Sequence, residues 1–241
     1  MNSVKGIWVS SVAALLVGVS SGAFAADLAI RKAPPPPPII PVYNWTGFYI
    51  GGNVGGAWET GTITDNLFDV SFSRTRSGFI GGGQVGYNWQ VSPNWVVGVE
   101  GMFDGTDIRS DTSTVVLANG DVISASAKTD WIATVGARLG YAANNWLFYG
   151  KGGGGWVHDS ATVTDVVAAT GDVFSVSVSD TRGGWMAGGG IEYGFTPNWT
   201  ARVDYTHIGL SDVTNTGLFV NDTITLSRHF DMVTFGINYK F

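Results

Sequence analysis

The last nine residues, Val233 to Phe241, alternate without a break. Val233, Phe235, Ile237, Tyr239 and Phe241 fall on one face of a strand; Thr234, Gly236, Asn238 and Lys240 fall on the other. A period of two is the mark of a strand whose faces meet different surroundings. An apolar face opposite a small and polar one, ending on a free C-terminal aromatic, fits a strand that closes a barrel with lipid outside. The ends of soluble domains more often fray.

Seven earlier segments repeat the pattern: Phe48–Trp58, Phe79–Val91, Trp95–Phe103, Trp131–Tyr141, Trp146–Trp156, Trp185–Phe195 and Trp199–Tyr205. In each, aromatic and branched side chains alternate with glycine, amide or charged ones. The expected fold is therefore all-β, an eight-stranded antiparallel transmembrane β-barrel. An even strand count returns both ends to one side, as single-chain bacterial barrels require. A soluble lipocalin-like barrel is the alternative, with the aromatic face inside and the charges outside. The absence of a disulfide and the aromatic C-terminus weigh against it.

Three tight turns join the strands: Ser92-Pro93-Asn94-Trp95, Ala143-Asn144-Asn145-Trp146 and Thr196-Pro197-Asn198-Trp199. Proline and asparagine supply the turn geometry. The other connections are long, about Thr60–Ser77, Gly105–Lys128, Asp159–Arg182 and Gly209–Arg228. Short turns on one side and long loops on the other are the asymmetry of outer-membrane barrels, with turns toward the periplasm. Asn119-Gly120-Asp121 and Thr170-Gly171-Asp172 sit between runs of Val, Ser and Thr, which predicts hairpin extensions above the membrane. The turn tryptophans suit one membrane interface; Trp58, Phe103, Trp131, Trp156 and Trp185 suit the other.

Residues 1–25 read as a secretory signal. Lys5 supplies the positive region, Ile7 to Val19 the apolar stretch, and Ala23-Phe24-Ala25 a small-residue cleavage site. Residues 26–42 form a proline-rich linker holding five consecutive prolines, Pro34 to Pro38. Proline has a fixed φ and no backbone donor, so Pro34 to Pro41 would reach roughly 25 Å as polyproline II at about 3.1 Å per residue. The barrel is expected over residues 43–241.

Composition excludes several functions. Charged residues are only 13% of the chain, against about a quarter in soluble domains. The chain has no cysteine, which removes thiol catalysis, disulfides, lipidated anchors and cysteine-based metal sites. A net charge of −6 gives no basic footprint for nucleic acid. Gly81-x-Gly83-x-x-Gly86 matches a dinucleotide fingerprint only formally, because it lies inside a strand with no helix after it. Asp and His are scattered with no nucleophile–base pairing, so no enzyme and no cofactor are expected.

The stretch Val42-Tyr43-Asn44-Trp45-Thr46-Gly47-Phe48-Tyr49-Ile50-Gly51-Gly52-Asn53-Val54-Gly55-Gly56-Ala57-Trp58 follows Ala-Ala-Asp-Leu and a proline run. With the Pro-Asn-Trp turns and the Tyr239-Lys240-Phe241 end, it closely resembles the alphaproteobacterial family of small outer-membrane surface antigens, opacity-type and porin-like barrels. The resemblance covers essentially the whole chain. It implies export to the cell outer membrane and insertion by the assembly machinery, with Val233, Phe235, Ile237, Tyr239 and Phe241 as the insertion signal. It brings no shared catalytic residues. Members are variously described as structural surface proteins, porin-like proteins and, in some cases, haem binders.

The face expected inside carries Glu100, Arg138, Lys151, Glu192, Arg202, Asp204 and Lys240. Both signs on adjoining strands predict a lumenal charge network. A barrel of eight strands is only just wide enough for side chains to fill it, which favours a structural network over an ion-lined pore. Inward glycines (Gly51, Gly82, Gly86, Gly136, Gly153, Gly188) leave room for water and keep a narrow conductance open. His158, His207 and His229 are expected near the loop-side rim, as solvated groups or as haem ligands. The expected role is structural, in the envelope. A narrow porin or a haem-binding surface receptor are the alternatives, and outer-membrane lipid and lipopolysaccharide are the expected surroundings.

Overall fold

A computed structural model of the chain describes residues 43–65, 70–216 and 223–241. The signal segment and the linker expected over residues 1–42 lie outside the described residues. Eight long strands form a closed antiparallel ring: β1 (Gly47–Asp65), β2 (Val70–Gln90), β3 (Trp95–Arg109), β5 (Val122–Ala143), β6 (Trp146–Val166), β7 (Val173–Gly194), β8 (Trp199–Leu210) and β10 (Thr223–Lys240). The ring closes between β1 and β10, where Tyr49 faces Lys240 and Val54 faces Phe235. Two four-residue strands, β4 (Ser113–Val116) and β9 (Val213–Thr216), pair with β5 and β10.

The asparagines of the three turns have a common task. Nδ2 of Asn94, Asn145 and Asn198 donates to the carbonyls of Ala142, Gly194 and Lys240, at 2.9, 2.8 and 2.8 Å. The amides of those same three residues donate back to the asparagine carbonyls at 2.7, 2.9 and 2.7 Å. Each turn thus satisfies the end of a strand on the neighbouring hairpin, which would otherwise be left unpaired. Asn144 takes a left-handed φ of +54°, which asparagine tolerates better than other side chains.

The turn tryptophans form the lower girdle. Trp95, Trp146 and Trp199 lie against Tyr141, Tyr193 and Tyr239, with ring centroids 5.7, 4.6 and 5.0 Å apart. Each pair follows from a register that sets the first residue of one strand beside the outward end of its neighbour. Phe103 stacks on Trp131 at 5.5 Å in the upper girdle, with Trp58, Trp156 and Trp185 at the same level. Ten residues separate Phe48 from Trp58. At about 3.3 Å per residue and a tilt near 40°, that is a band of roughly 25 Å, the apolar height of an outer-membrane barrel.

Above the upper girdle the strands do not stop. The connections expected as long loops are largely sheet, as the hairpin reading predicted. Here the sense of the alternation reverses. Thr60, Thr62 and Thr64 of β1 pair outward with Thr75, Ser73 and Ser71 of β2 at 3.1, 2.9 and 3.3 Å. Thr162 and Thr164 of β6 do the same with Ser177 and Ser175 of β7 at 2.9 and 3.1 Å. Ile63, Phe72, Val163, Val176 and Val178 occupy the alternate positions and face inward. A barrel that is apolar outside within the membrane becomes polar outside above it, with no change of register in these hairpins.

Candidate functional site: the barrel interior

Six of the seven charged residues expected in the lumen meet at one level, each carried to the inner face by strand parity. Glu100 comes from β3, Arg138 from β5, Lys151 from β6, Glu192 from β7, and Arg202 and Asp204 from β8. Glu100 is the hub. Its carboxylate accepts from Arg202 Nη2 at 3.0 Å, from Tyr49 Oη at 2.7 Å and from Arg138 Nη1 at 3.4 Å, with Lys151 Nζ at 3.5 Å. Arg138 also donates through Nη2 to Glu192 at 2.8 Å, and its guanidinium carbon lies 3.9 Å above the ring of Tyr149. Lys151 Nζ is 3.0 Å from Asp204 Oδ1, and Arg202 pairs with Asp204 as well.

Three cations (Arg138, Lys151, Arg202) pair with three carboxylates (Glu100, Glu192, Asp204), and a fourth, Asp104 of β3, is buried on the same inner face. Charges held away from water cost several kcal/mol each unless paired and hydrogen-bonded. Polar neighbours extend the network: Asn238 Nδ2 donates to Glu192 at 2.8 Å, and Gln84 bridges Asn238 and Asn53, at 2.8 Å each. Tyr49 and Tyr149 are essential members that the charge pattern alone does not reveal. Their signal in the sequence is an aromatic on the otherwise polar inner face.

Lys240 corrects the expectation. It lies at the periplasmic end, not in the network. Its ammonium bonds the carbonyl of Asn44 and sits 4.5 Å from the centroid of Tyr43. The cause is the segment ahead of β1, which folds into the periplasmic mouth. Trp45 is 1% exposed and Tyr43 is 7% exposed, packed with Val96, Ala142, Leu147 and Tyr149. The Trp45 amide donates to Gln90 Oε1 at 3.0 Å, and the Gln90 amide donates to Thr46 Oγ1 at 3.0 Å, which fixes the segment in place.

On the other side of the network lies an apolar layer. Ala57, Ile80, Met102, Ile132, Val157, Met186, Ile208 and Phe230 form one buried cluster to which all eight ring strands contribute. Two of the hollows left by inward glycines are filled by tyrosines. A Cβ at Gly190 would fall 2.7 Å from Tyr149 Oη, so the missing side chain is where the tyrosine lies. Gly86 is occupied in the same manner by Tyr49. Within the membrane, the lumen is therefore closed by the N-terminal segment, the ion network and the apolar layer in turn.

Above the apolar layer a second ionic group closes the floor of the extracellular mouth. Glu59 Oε1 accepts from Arg76 Nη2 at 3.2 Å and from Arg228 Nε at 2.8 Å. Arg228 Nη1 reaches Asp159 Oδ2 at 2.6 Å, and Thr129 Oγ1 donates to the same carboxylate group at 2.7 Å. Arg76, Asp159 and Arg228 lie within the stretches read from sequence as loops, so no face could be assigned to them there; Glu59 and Thr129 lie one residue outside.

The three histidines lie on the outer face at the upper girdle. His158 stacks on Trp131 at 5.2 Å and shares a 2.8 Å hydrogen bond with Thr181. His207 and His229 lie 5.6 Å apart and flank Asp231, at 2.8 and 3.9 Å. His158 stands on β6, apart from the pair on β8 and β10. The three do not converge on one point, and among the described residues no group of His, Cys, Asp and Glu has metal-holding geometry. Of the terminal segment, Phe235, Ile237 and Phe241 are exposed on the outer face.

An antiparallel ring of eight strands, apolar outside between two aromatic girdles and ion-paired inside, defines an outer-membrane β-barrel. The chain belongs to the family described as "Outer membrane protein beta-barrel domain", which matches residues 11–241. The 31 kDa outer-membrane immunogenic protein of Brucella melitensis is 34% identical over 253 residues, covering 99% of this chain and 100% of its own. The 22 kDa outer membrane protein of Rhizobium leguminosarum bv. viciae is 32% identical over 214 residues, covering 85% of this chain and 82% of its own. Among solved structures, neisserial surface protein A aligns with 81% of this chain and 98% of its own at 15% identity, with a TM-score of 0.42. The protein is thus an outer-membrane barrel related to small alphaproteobacterial outer-membrane antigens, as its opening motif implied.

Proposed function

We propose that the barrel is a sealed structural anchor of the outer membrane that holds its extracellular sheet at the cell surface. The observation that carries this reading is the lumen, closed at successive levels by Tyr43–Trp45, the Glu100-centred network and the apolar layer. An ion crossing the barrel would have to displace an apolar layer whose lining is buried on every strand. The aromatic girdles and apolar band are suited to lipid and to the lipopolysaccharide leaflet, and the terminal aromatic strand to recognition by the outer-membrane assembly machinery. The outward, separated histidines give the haem reading little support.

Planar-bilayer recording of the refolded protein tests this function. The expected result is no resolvable channel events. Stepwise conductance in the wild type, altered by Glu100→Gln or Arg138→Gln, would replace the sealed anchor with a narrow porin.

A further inference from the structure

Two groups of strands rise above the upper girdle. One consists of β10, β1 and β2, with β9 at its edge; the other of β5, β6 and β7, with β4 at its edge. Among the described residues no ladder pairing joins β2 to β3 above Ile80, and beyond Gly184 only the Ser211 amide reaches β7, at the Gly183 carbonyl, so the two rise as separate walls facing each other across the mouth. Their inner faces carry Ile63, Phe72 and Leu226 on one side and Ala161 and Val178 on the other. Phe72 and Val178 are 64% and 63% exposed although they point inward. The space between the walls is a cavity of about 680 Å³. That is the size of a small-molecule site.

The floor of this cavity is ionic: cations stand above Glu59 on the β1–β2 wall, and Asp159 and Asp180 lie on the β6–β7 wall. The Arg76 side chain is 28% exposed above a Glu59 that is 1% exposed. Arg74 lies two residues along β2 on the same inward face, opposite Gly61. Beside Gly61 stands the Arg228 side chain, whose Cγ would lie 3.8 Å from a Cβ placed there. An incoming group meets the guanidiniums of Arg74 and Arg76 on one wall, while Asp180 on the other is paired to Arg182 at 3.0 Å. The three histidines stand on the outer face of the barrel, so the cavity offers none of them as a haem ligand.

We propose that this extracellular cavity binds a single-chain carboxylate amphiphile. Its aliphatic body lies on Phe72, Ile63 and Val178, and its acid group on the guanidiniums of Arg74 and Arg76. Inward apolar side chains above the membrane have no lipid to face. The layer that seals the barrel already lies below them, so they are not needed to close the lumen. A ligand with an apolar body removes their surface from water. A carboxylate accepts charge-assisted hydrogen bonds from arginine, which fixes its orientation.

The test uses the full barrel in lipid nanodiscs and a dodecanoate bearing a diazirine on its chain, with cross-linked peptides mapped after irradiation. Labelling is expected on peptides holding Phe72 and Val178, competed by unlabelled dodecanoate but not by dodecyltrimethylammonium. Phe72→Ser with Val178→Ser, and separately Arg74→Gln with Arg76→Gln, should each lower that labelling about tenfold. Both wall positions are exposed and above the membrane, and heat-modifiable gel mobility reports that each variant still folds. If the arginine pair does not fold, the wall pair and the cation competitor carry the test. Labelling confined to the outer apolar band overturns the proposal. So does labelling unchanged in the wall variant, or competed equally by the cation.

Discussion

Arg202 and Glu100, 102 residues apart in sequence, meet inside the barrel with Nη2 3.0 Å from Oε1 and Nη1 on the other oxygen. They stand on β8 and β3, which are not neighbours in the ring. The pair spans the lumen and ties opposite walls together, and Arg138, Lys151 and Tyr49 converge on the same carboxylate.

Glu100→Gln removes the carboxylate on which Arg138, Lys151 and Arg202 converge. The expected loss of stability is about 3–5 kcal/mol, the usual effect of removing one member of a buried ionic set. Urea unfolding of the refolded barrel, followed by tryptophan fluorescence, measures it. Exchanging Glu100 and Arg202 together for Leu and Met should recover part of the loss, because no charge is then left alone. A double variant weaker than Glu100→Gln would contradict the hub role.

Trp45→Ala empties a packed position in the periplasmic mouth. A loss of about 3 kcal/mol is expected from the lost burial and the cavity left behind. The same variant should remain silent in planar-bilayer recordings, because the ion network and the apolar layer still close the lumen. Channel events in this variant would show that the N-terminal segment is the only effective seal.

The turn asparagines are expected to act alike. Each of Asn94→Ala, Asn145→Ala and Asn198→Ala removes a hydrogen bond to a strand-end carbonyl, with an expected cost of about 1 kcal/mol. Equal midpoint shifts in urea would support a shared function for the three turns. A loss at one turn only would mean that the repeated geometry is not a repeated energy.

Phe241 donates its amide to the Phe48 carbonyl at 2.9 Å, and its ring lies 5.7 Å from that of Phe48. Phe241→Ala should therefore slow closure of the ring modestly during spontaneous folding into lipid vesicles. A larger slowing is expected when the assembly machinery is present, if the terminal aromatic is what that machinery recognises. Equal rates for the wild type and the variant with machinery present would remove Phe241 from the insertion signal.

Much of this architecture is legible in the sequence because the pleat of a strand is local. The parity that puts Phe235 outside also puts Asn238 inside, with no reference to any other strand. The reversal above the girdle is half legible. Phe174, Val176 and Val178 visibly alternate with Ser175, Ser177 and Ser179, but alternation does not say which set faces in. That sense is defined only by continuing the register up from Trp185 and Met186, which the closed ring supplies. Lys240 shows the limit of parity. It stands in line with Asn238, yet the folded-in segment at Tyr43 and Asn44 captures its ammonium.

The sequence by itself determined the barrel: the number of long strands, the apolar belt, the short turns and the terminal aromatic strand, all set by period two and turn chemistry. Only the tertiary structure decided what fills the barrel. Contacts such as Glu100 with Arg202, or Tyr49 with the hollow at Gly86, depend on ring diameter and stagger, which bring distant segments to one level. A local pattern chooses the face of a side chain. What that side chain meets across the lumen is fixed only when the last strand pairs with the first.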